Sequence, residues 1–191
     1  FWQDLFVAKK VFDNNPQKHV DIGSLISGFV SHVCIFREIE VFDIRPLSNN
    51  IPNVKFVQAD LMDENHRFHE YCDSISSLHA LEHFGLGRYG DEIDVNGHLK
   101  GLDNIYKVLK PGGKFYFSVP IGQKQRTEFN AHRIFSVSYL LSLFDGKYNI
   151  DSFSYVDDEG NFHEIQKLTE ENSQSSFSCK FGCGIYEFTK L

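Results

Sequence analysis

The chain has 191 residues, 41% of them hydrophobic, which is enough for one ordinary domain with a real core and too few to argue for two. A formal net charge of −7 disfavours a general attraction to nucleic acid backbone. No apolar run approaches the roughly 20 residues that cross a bilayer, and nothing at the start resembles a signal peptide, so a cytoplasmic protein with a small-molecule substrate and no nucleic-acid or membrane partner is expected.

Residues 1–12 carry Phe1, Leu5, Phe6 and Val11 near helical spacing before the breaker run Asp13-Asn14-Asn15-Pro16, which predicts a helix packed on a sheet edge. Residues 19–28, HVDIGSLISG, read as a buried strand, a glycine turn and the start of a crossover helix continued by Phe29, Val30, Val33 and Cys34. In an open α/β sheet that turn is where a nucleotide meets backbone N–H groups, with Gly23 allowing the bend and Asp21 offering a carboxylate; Leu25 stands where a dinucleotide fingerprint wants glycine. Residues 38–44 form a second strand whose Asp43 follows the turn by about 20 residues, the spacing of an acid that holds ribose hydroxyls. A third strand, 54–58, leads to Asp60, within reach of an adenine amino group, and a fourth, 72–77, empties into His79-Ala80-Leu81-Glu82-His83.

Residues 84–97, FGLGRYGDEIDVNG, form a glycine-punctuated loop at the strand ends, where long loops tend to be functional. A helical stripe of Leu99, Leu102, Ile105, Tyr106 and Leu109 is stopped by Pro111-Gly112-Gly113 before a fifth strand at 114–119. Residues 121–133 read as a second loop, and Val137, Leu140, Leu141 and Phe144 as a short helix. Final strands at 148–156 and 180–188 flank a polar connection whose Ser/Glu/Asn-rich part, 169–178, is expected to be mobile. Cys34, Cys72, Cys179 and Cys183 make no C-x-x-C pair and read as free thiols; Cys179 and Cys183, even with His163, fall short of a metal site, and no metal is expected.

The ordered set HVDIGS, EVFDI, VQADL, CDSISSLHALEHF and NIYKVLKPGGKFYFSVP resembles the class I S-adenosylmethionine-dependent methyltransferases over most of residues 20–120. LEHFGLGRYGD with FNAHRIFS is similar to a branch that bears a nematode-derived name as a domain of unknown function. The resemblance implies an α/β, Rossmann-like, doubly wound sheet of seven mostly parallel strands with an antiparallel C-terminal strand, and S-adenosylmethionine as cofactor. The chain then divides into a lead-in helix and linker (1–16), a cofactor half (17–120) and a substrate half (121–191). By position, the methionine part of the cofactor falls to Asp21 and Gly23, the ribose to Asp43, and adenine to Asp60 with Leu61; Ser24, Ile44 and His79 are further candidate cofactor contacts. Leu25 and Ser27 depart from the family's glycines.

Methyl transfer needs alignment first and a base second. His83 and His132 are the candidate bases, with Glu82 to orient either, and Arg88, Tyr89, Arg126, Asn130 and Arg133 are candidate substrate contacts. A small polar acceptor, such as a sugar or glycan precursor, suits the acidic charge and loop content. Other readings stay open: a degenerate, non-catalytic binding module, a nicotinamide-dependent oxidoreductase, and a metal enzyme built on the H-x-x-E-H of residues 79–83.

Overall fold

A computed structural model describes residues 1–46, 50–165 and 167–191. Helix α1 (Trp2–Asn14) leads to β1 (His19–Ile22), then a wide turn of helix at Ile26–Val30 that kinks at Gly28 and runs into the short α2 (Ser31–Val33). Strands β2 (Ile39–Asp43), β3 (Val54–Gln58) and β4 (Cys72–Leu78) follow, then a single 3₁₀ turn at Leu81–His83, α3 (Gly97–Val108) and β5 (Leu109–Ile121). The C-terminal part adds β6 (Arg126–Glu128), β7 (His132–Ile134), α4 (Val137–Phe144), β8 (Tyr148–Val156), β9 (Phe162–Ile165), α5 (Glu170–Gln174) and β10 (Gly182–Lys190).

The main sheet has the order β3-β2-β1-β4-β5-β10-β8-β9. Its first five strands are parallel and its last three neighbours pair antiparallel. This is the doubly wound α/β sheet expected, with one strand more, because residues of the predicted polar connection close a hairpin as β9 on the edge of β8. The order reverses between β1 and β4, and at such a switch point the flanking loops part to leave a crevice at the carboxyl ends of the strands.

Strand alternation sorts β5 to two cores. Phe115, Phe117 and Val119 face α3 and α4 beside Ile105, Leu140 and Phe144, while Tyr116 faces α1 beside Val11, Val41 and Ile185. The lead-in helix therefore lies on a sheet face, not on an edge. Its buried stripe is Val7, Ala8 and Val11, whereas Phe1, Leu5 and Phe12 stay exposed. The peripheral rings find other rings instead: Trp2 stacks on Phe162 at 5.6 Å and Phe12 meets Phe36 edge-on at 5.2 Å.

Three loop expectations change in detail. Pro111-Gly112-Gly113 ends α3 but lies within β5 as a bulge, between Leu109 paired with Cys72 and Lys114 paired with Ser74. The loop 121–133 contains the β6–β7 hairpin. The segment 169–178 is ordered, since Thr169 and Asn172 form a reciprocal cap on α5 and the buried Ser176 hydroxyl accepts the Val137 amide at the start of α4.

In the loop 84–97 the Asp91 carboxylate gathers three amides, those of Gly85 (2.8 Å), Gly87 (3.1 Å) and Tyr89 (3.1 Å). Gly85 has φ +75°, and a Cβ there would fall 2.0 Å from the Asp94 carbonyl oxygen. Gly85→Ala is expected to lower stability by at least about 2 kcal/mol in denaturant unfolding. Gly112→Ala, also at positive φ but with nothing within 4 Å, should cost about 1 kcal/mol; equal losses would refute the close packing of this loop.

Candidate functional site

A cavity of about 360 Å³ opens at the carboxyl ends of β1 to β4, a volume within the range of small-molecule sites. Register builds it: Ile22 pairs with Phe42 and Asp43 with Gln58, so the strands end side by side and their following residues converge. Gly23 and Ser24 come from the β1 turn, Asp43 and Ile44 from β2, Asp60 and Leu61 from the segment after β3, and His79 and His83 from the segment after β4. Tyr89 and Asp91 of the loop 84–97 complete one rim, and Gln3 and Asp4 of α1 another.

The β1 turn shows that glycine is needed at fewer places than the family pattern suggests. Gly23, at φ +70°, brings the backbone so close to β4 that a Cβ would meet that of Ala80 at 3.2 Å. Gly28 sits against the Asp4 carboxylate, 3.3 Å from where its Cβ would be. Leu25 has an ordinary φ of −70°, so it strains nothing, and it stands 69% exposed at the lip of the cavity, which it lines together with Ser27.

Asp21 lies behind the cavity wall, fully buried. Its carboxylate accepts the Ser76 hydroxyl (2.6 Å) and the Ser24 amide (3.1 Å), and Ser76 also bonds the His19 ring at 3.1 Å. Burial pushes the Asp21 carboxyl up to about 6 against the pull of those hydrogen bonds, and burial likewise drives His19 down to about 3. Asp21 therefore shapes the turn from below. Ser24 itself lines the cavity, and its hydroxyl is buried and without a hydrogen-bond partner.

At β2 the Asp43 carboxylate is only 5% exposed and is held by Arg45 through its amide (2.8 Å), Nε (2.9 Å) and Nη2 (2.6 Å). Arg45 lies over the Tyr89 ring at 4.9 Å, and Tyr89 meets His83 edge-on at 5.4 Å. Asp60 accepts the Met62 amide at 2.8 Å.

Around the 3₁₀ turn, Glu82 is buried and reaches His79 Nδ1 at 2.8 Å and His83 Nε2 at 3.9 Å, with its second oxygen unpartnered. His79 Nε2 contacts Cys183 Sγ at 3.2 Å. Burial opposes a charge on His79, but the hydrogen bonds to Cys183 and Glu82 outweigh it and hold the imidazole well above its usual range. His83 Nδ1 donates to the Ala131 carbonyl at 2.6 Å, which leaves Nε2 as the nitrogen that accepts. Because both nitrogens of His79 are engaged within the protein, the H-x-x-E-H pattern does not present two free imidazoles, and among the described residues no group of three potential ligands converges as a metal site.

The other sequence candidates lie apart from this cavity. His132 sits on β7 beside Glu128 (3.3 Å) and Phe181 (5.2 Å). Arg133 is buried, and its guanidinium faces the carbonyls of Glu82, Phe84, Asp94 and Val95, stitching the hairpin to the loop 84–97. Arg126 pairs with Glu128 at 2.9 Å and, with Arg133, lines a second cavity between that loop and the β6–β7 hairpin. Arg88 and Asn130 are exposed and line neither cavity. The sequence gives no role to Gln3, Asp4 or Arg45 and reads Cys183 only as a free thiol, since their places depend on α1 crossing the sheet face and on β10 starting level with the end of β4; only Arg45, two residues after an acid at a strand end, carries a local signal.

The profile of a family described as "Caenorhabditis protein of unknown function, DUF268" matches residues 16–180. The chain belongs to this family. No curated protein matches it in sequence. Among solved structures, 1,6-didemethyltoxoflavin-N1-methyltransferase of Burkholderia thailandensis, with bound S-adenosylhomocysteine, superposes with a TM-score of 0.67 at 12% identity, covering 99% of this chain and 78% of that one. The N-methyltransferase NodS of Bradyrhizobium japonicum, in complex with S-adenosylhomocysteine, gives 0.61 at 12% identity, with 98% and 85% covered. The [4+2]-cyclase SpnF gives 0.60 at 15% identity, with 91% and 74% covered. This family member thus has the fold of S-adenosylmethionine-dependent methyltransferases, a fold that also includes a cyclase. No described helix is long and apolar enough to cross a membrane.

The elevated Asp21 carboxyl has a measurable signature. The folded state holds its proton up to about pH 6, while the unfolded chain releases it near 3.9, so the stability that this proton confers is complete below pH 4 and lost as pH rises through 6. Between pH 4 and 7 the wild type should lose about 2 kcal/mol relative to Asp21→Asn in parallel denaturant titrations, and a constant difference would contradict the raised value.

Proposed function

We propose that this protein is an S-adenosylmethionine-dependent methyltransferase acting on a small polar acceptor, with a sugar or glycan precursor as the first class to test. The observation that carries the reading is the convergence of Gly23 and Ser24, Asp43, and Asp60 from three successive strand ends on one cavity. These groups fit the cofactor. The unpartnered Ser24 hydroxyl and the close backbone at Gly23 suit its amino-acid end, Asp43 has acceptor capacity for ribose hydroxyls beyond its bonds to Arg45, and Asp60 with Leu61 suits adenine. When bound, S-adenosylmethionine supplies a sulfonium-activated methyl group for in-line displacement by the acceptor.

The chain's own contribution is alignment, about 7 to 11 kcal/mol where reacting atoms are held in register, and removal of the acceptor's proton, about 10² to 10⁴-fold. In this reading His83 Nε2 takes that proton. Its Nδ1–H bond to Ala131 fixes the tautomer, and the Glu82 carboxylate 3.9 Å from Nε2 favours the positive charge that forms. Tyr89 packs against His83 and closes the rim on the acceptor side.

A second reading, a degenerate non-catalytic binding or scaffold module that does not take the adenosyl cofactor, draws on one observation: Arg45 already occupies both oxygens of Asp43. Calorimetry with S-adenosylmethionine, S-adenosylhomocysteine and NAD separates the readings. Heat from the first two and none from NAD is expected; silence from all three would leave the scaffold reading. Asp43→Ala should weaken S-adenosylhomocysteine binding at least about tenfold, the loss of a charged acceptor to ribose. His83→Ala should lower kcat on a responsive polar acceptor by about 10²-fold or more while binding of S-adenosylhomocysteine holds; equal loss of both would remove the base assignment.

A further inference from the structure

Cys183 stands where the chain brings a thiol, an imidazole and a carboxylate into line, although they come from distant parts of the sequence. β10 begins next to β5, with Cys183 paired to Pro120, and the His79 amide bonds the Ser118 carbonyl on the other side of β5. His79 adopts a left-handed φ of +52° at the end of β4, and its ring bridges Cys183 Sγ (3.2 Å) and Glu82 Oε1 (2.8 Å). Sulfur, imidazole and buried carboxylate stand in the order nucleophile, base, orienting acid. The Gln3 side chain of α1 approaches the sulfur at 3.6 Å, and Gln3 and His79 both line the main cavity.

We propose that Cys183 is a thiolate nucleophile maintained by His79 and Glu82, and a site of oxidation by peroxides to sulfenic acid. Moving the proton from sulfur to His79 leaves the net charge of the cluster unchanged, and the Glu82 carboxylate stands 2.8 Å from the imidazolium that forms. The groups that face the thiol are His79 with Glu82 behind it, the uncharged Gln3, and the buried Tyr186 on the same strand. In the reaction the thiolate attacks one peroxide oxygen: an S–O bond forms, the O–O bond breaks, and the sulfur is oxidised by two electrons. The departing hydroxide takes the His79 proton and leaves as water.

The other cysteines lack this arrangement. Burial pushes the Cys72 thiol up to about 12 and the Cys179 thiol up to about 11, and the Cys34 thiol points to the Ser31 carbonyl of its own helix. Oxidation at Cys183 replaces the sulfur that faces His79 with a bulkier, uncharged sulfenic acid, and His79 lines the cavity wall.

The test follows iodoacetamide alkylation of each cysteine by peptide mass spectrometry from pH 5 to pH 9, with Cys34 as the internal reference, and dimedone trapping after hydrogen peroxide. It requires no adenosyl ligand, so its outcome is independent of methyltransferase activity. Cys183 is expected to react at pH 6 at least about tenfold faster than Cys34 and to yield the dimedone adduct. His79→Gln should bring the Cys183 rate down to that of Cys34 and abolish the adduct, with Glu82→Gln in between. Equal rates at Cys183 and Cys34, an unchanged profile in His79→Gln, or labelling of Cys183 only after unfolding would overturn the proposal. The wild-type profile alone decides it if the variants do not fold.

Discussion

The parallel register of β1 between β2 and β4 is the constraint on which the rest depends. With Asp21 paired to Val41 on one side and Ser76 on the other, the strand ends are level, and the connections leave the sheet at one height. A shift of one residue would turn Asp21 outward and put Val20 or Ile22 in its place, since side chains alternate across a strand. The buried chain of His19, Ser76, Asp21 and the Ser24 amide occupies that register, so the cost of enclosing a carboxylate is offset by hydrogen bonds that exist only in the correct alignment.

A second polar cluster plays the same part at the end of β4. Glu82 is enclosed with the imidazoles of His79 and His83, and Arg133 ties the carbonyls around it to the β6–β7 hairpin. Removing one member of such a cluster leaves an uncompensated charge in a dry setting, which is more damaging than losing one contact on the surface. The side of the cavity nearest the proposed acceptor is thus framed by charge and hydrogen bonding, whereas the sheet behind it is framed by rings and aliphatic side chains.

Much of residues 17–120 could be read directly from the chain, because its signals are local: β1 and β3 have the predicted bounds, and Asp43 and Asp60 lie at the ends predicted for them. Residues 121–191 were less legible. Its hairpin and β9 are short strands defined by partners far away in sequence, and the polar composition of 169–178 hid a helix cap and the buried serines Ser173 and Ser176. Arg133 could not be distinguished from a solvated or ligand-binding arginine, since what sets its place is a ring of carbonyls from a loop some 40 residues earlier. The lead-in helix was misplaced for a similar reason: its large rings dominated the apolar pattern, but the smaller Val7, Ala8 and Val11 fit the close approach to the sheet.

The Tyr89 ring has the Arg45 guanidinium on its face and the edge of the His83 imidazole beside it. A guest that engaged Asp43 would compete for Arg45, and a swing of that guanidinium would withdraw the cation from the phenol ring. One aromatic side chain therefore touches groups at both ends of the chamber, and a change at the far berth would reach the imidazole through a single ring.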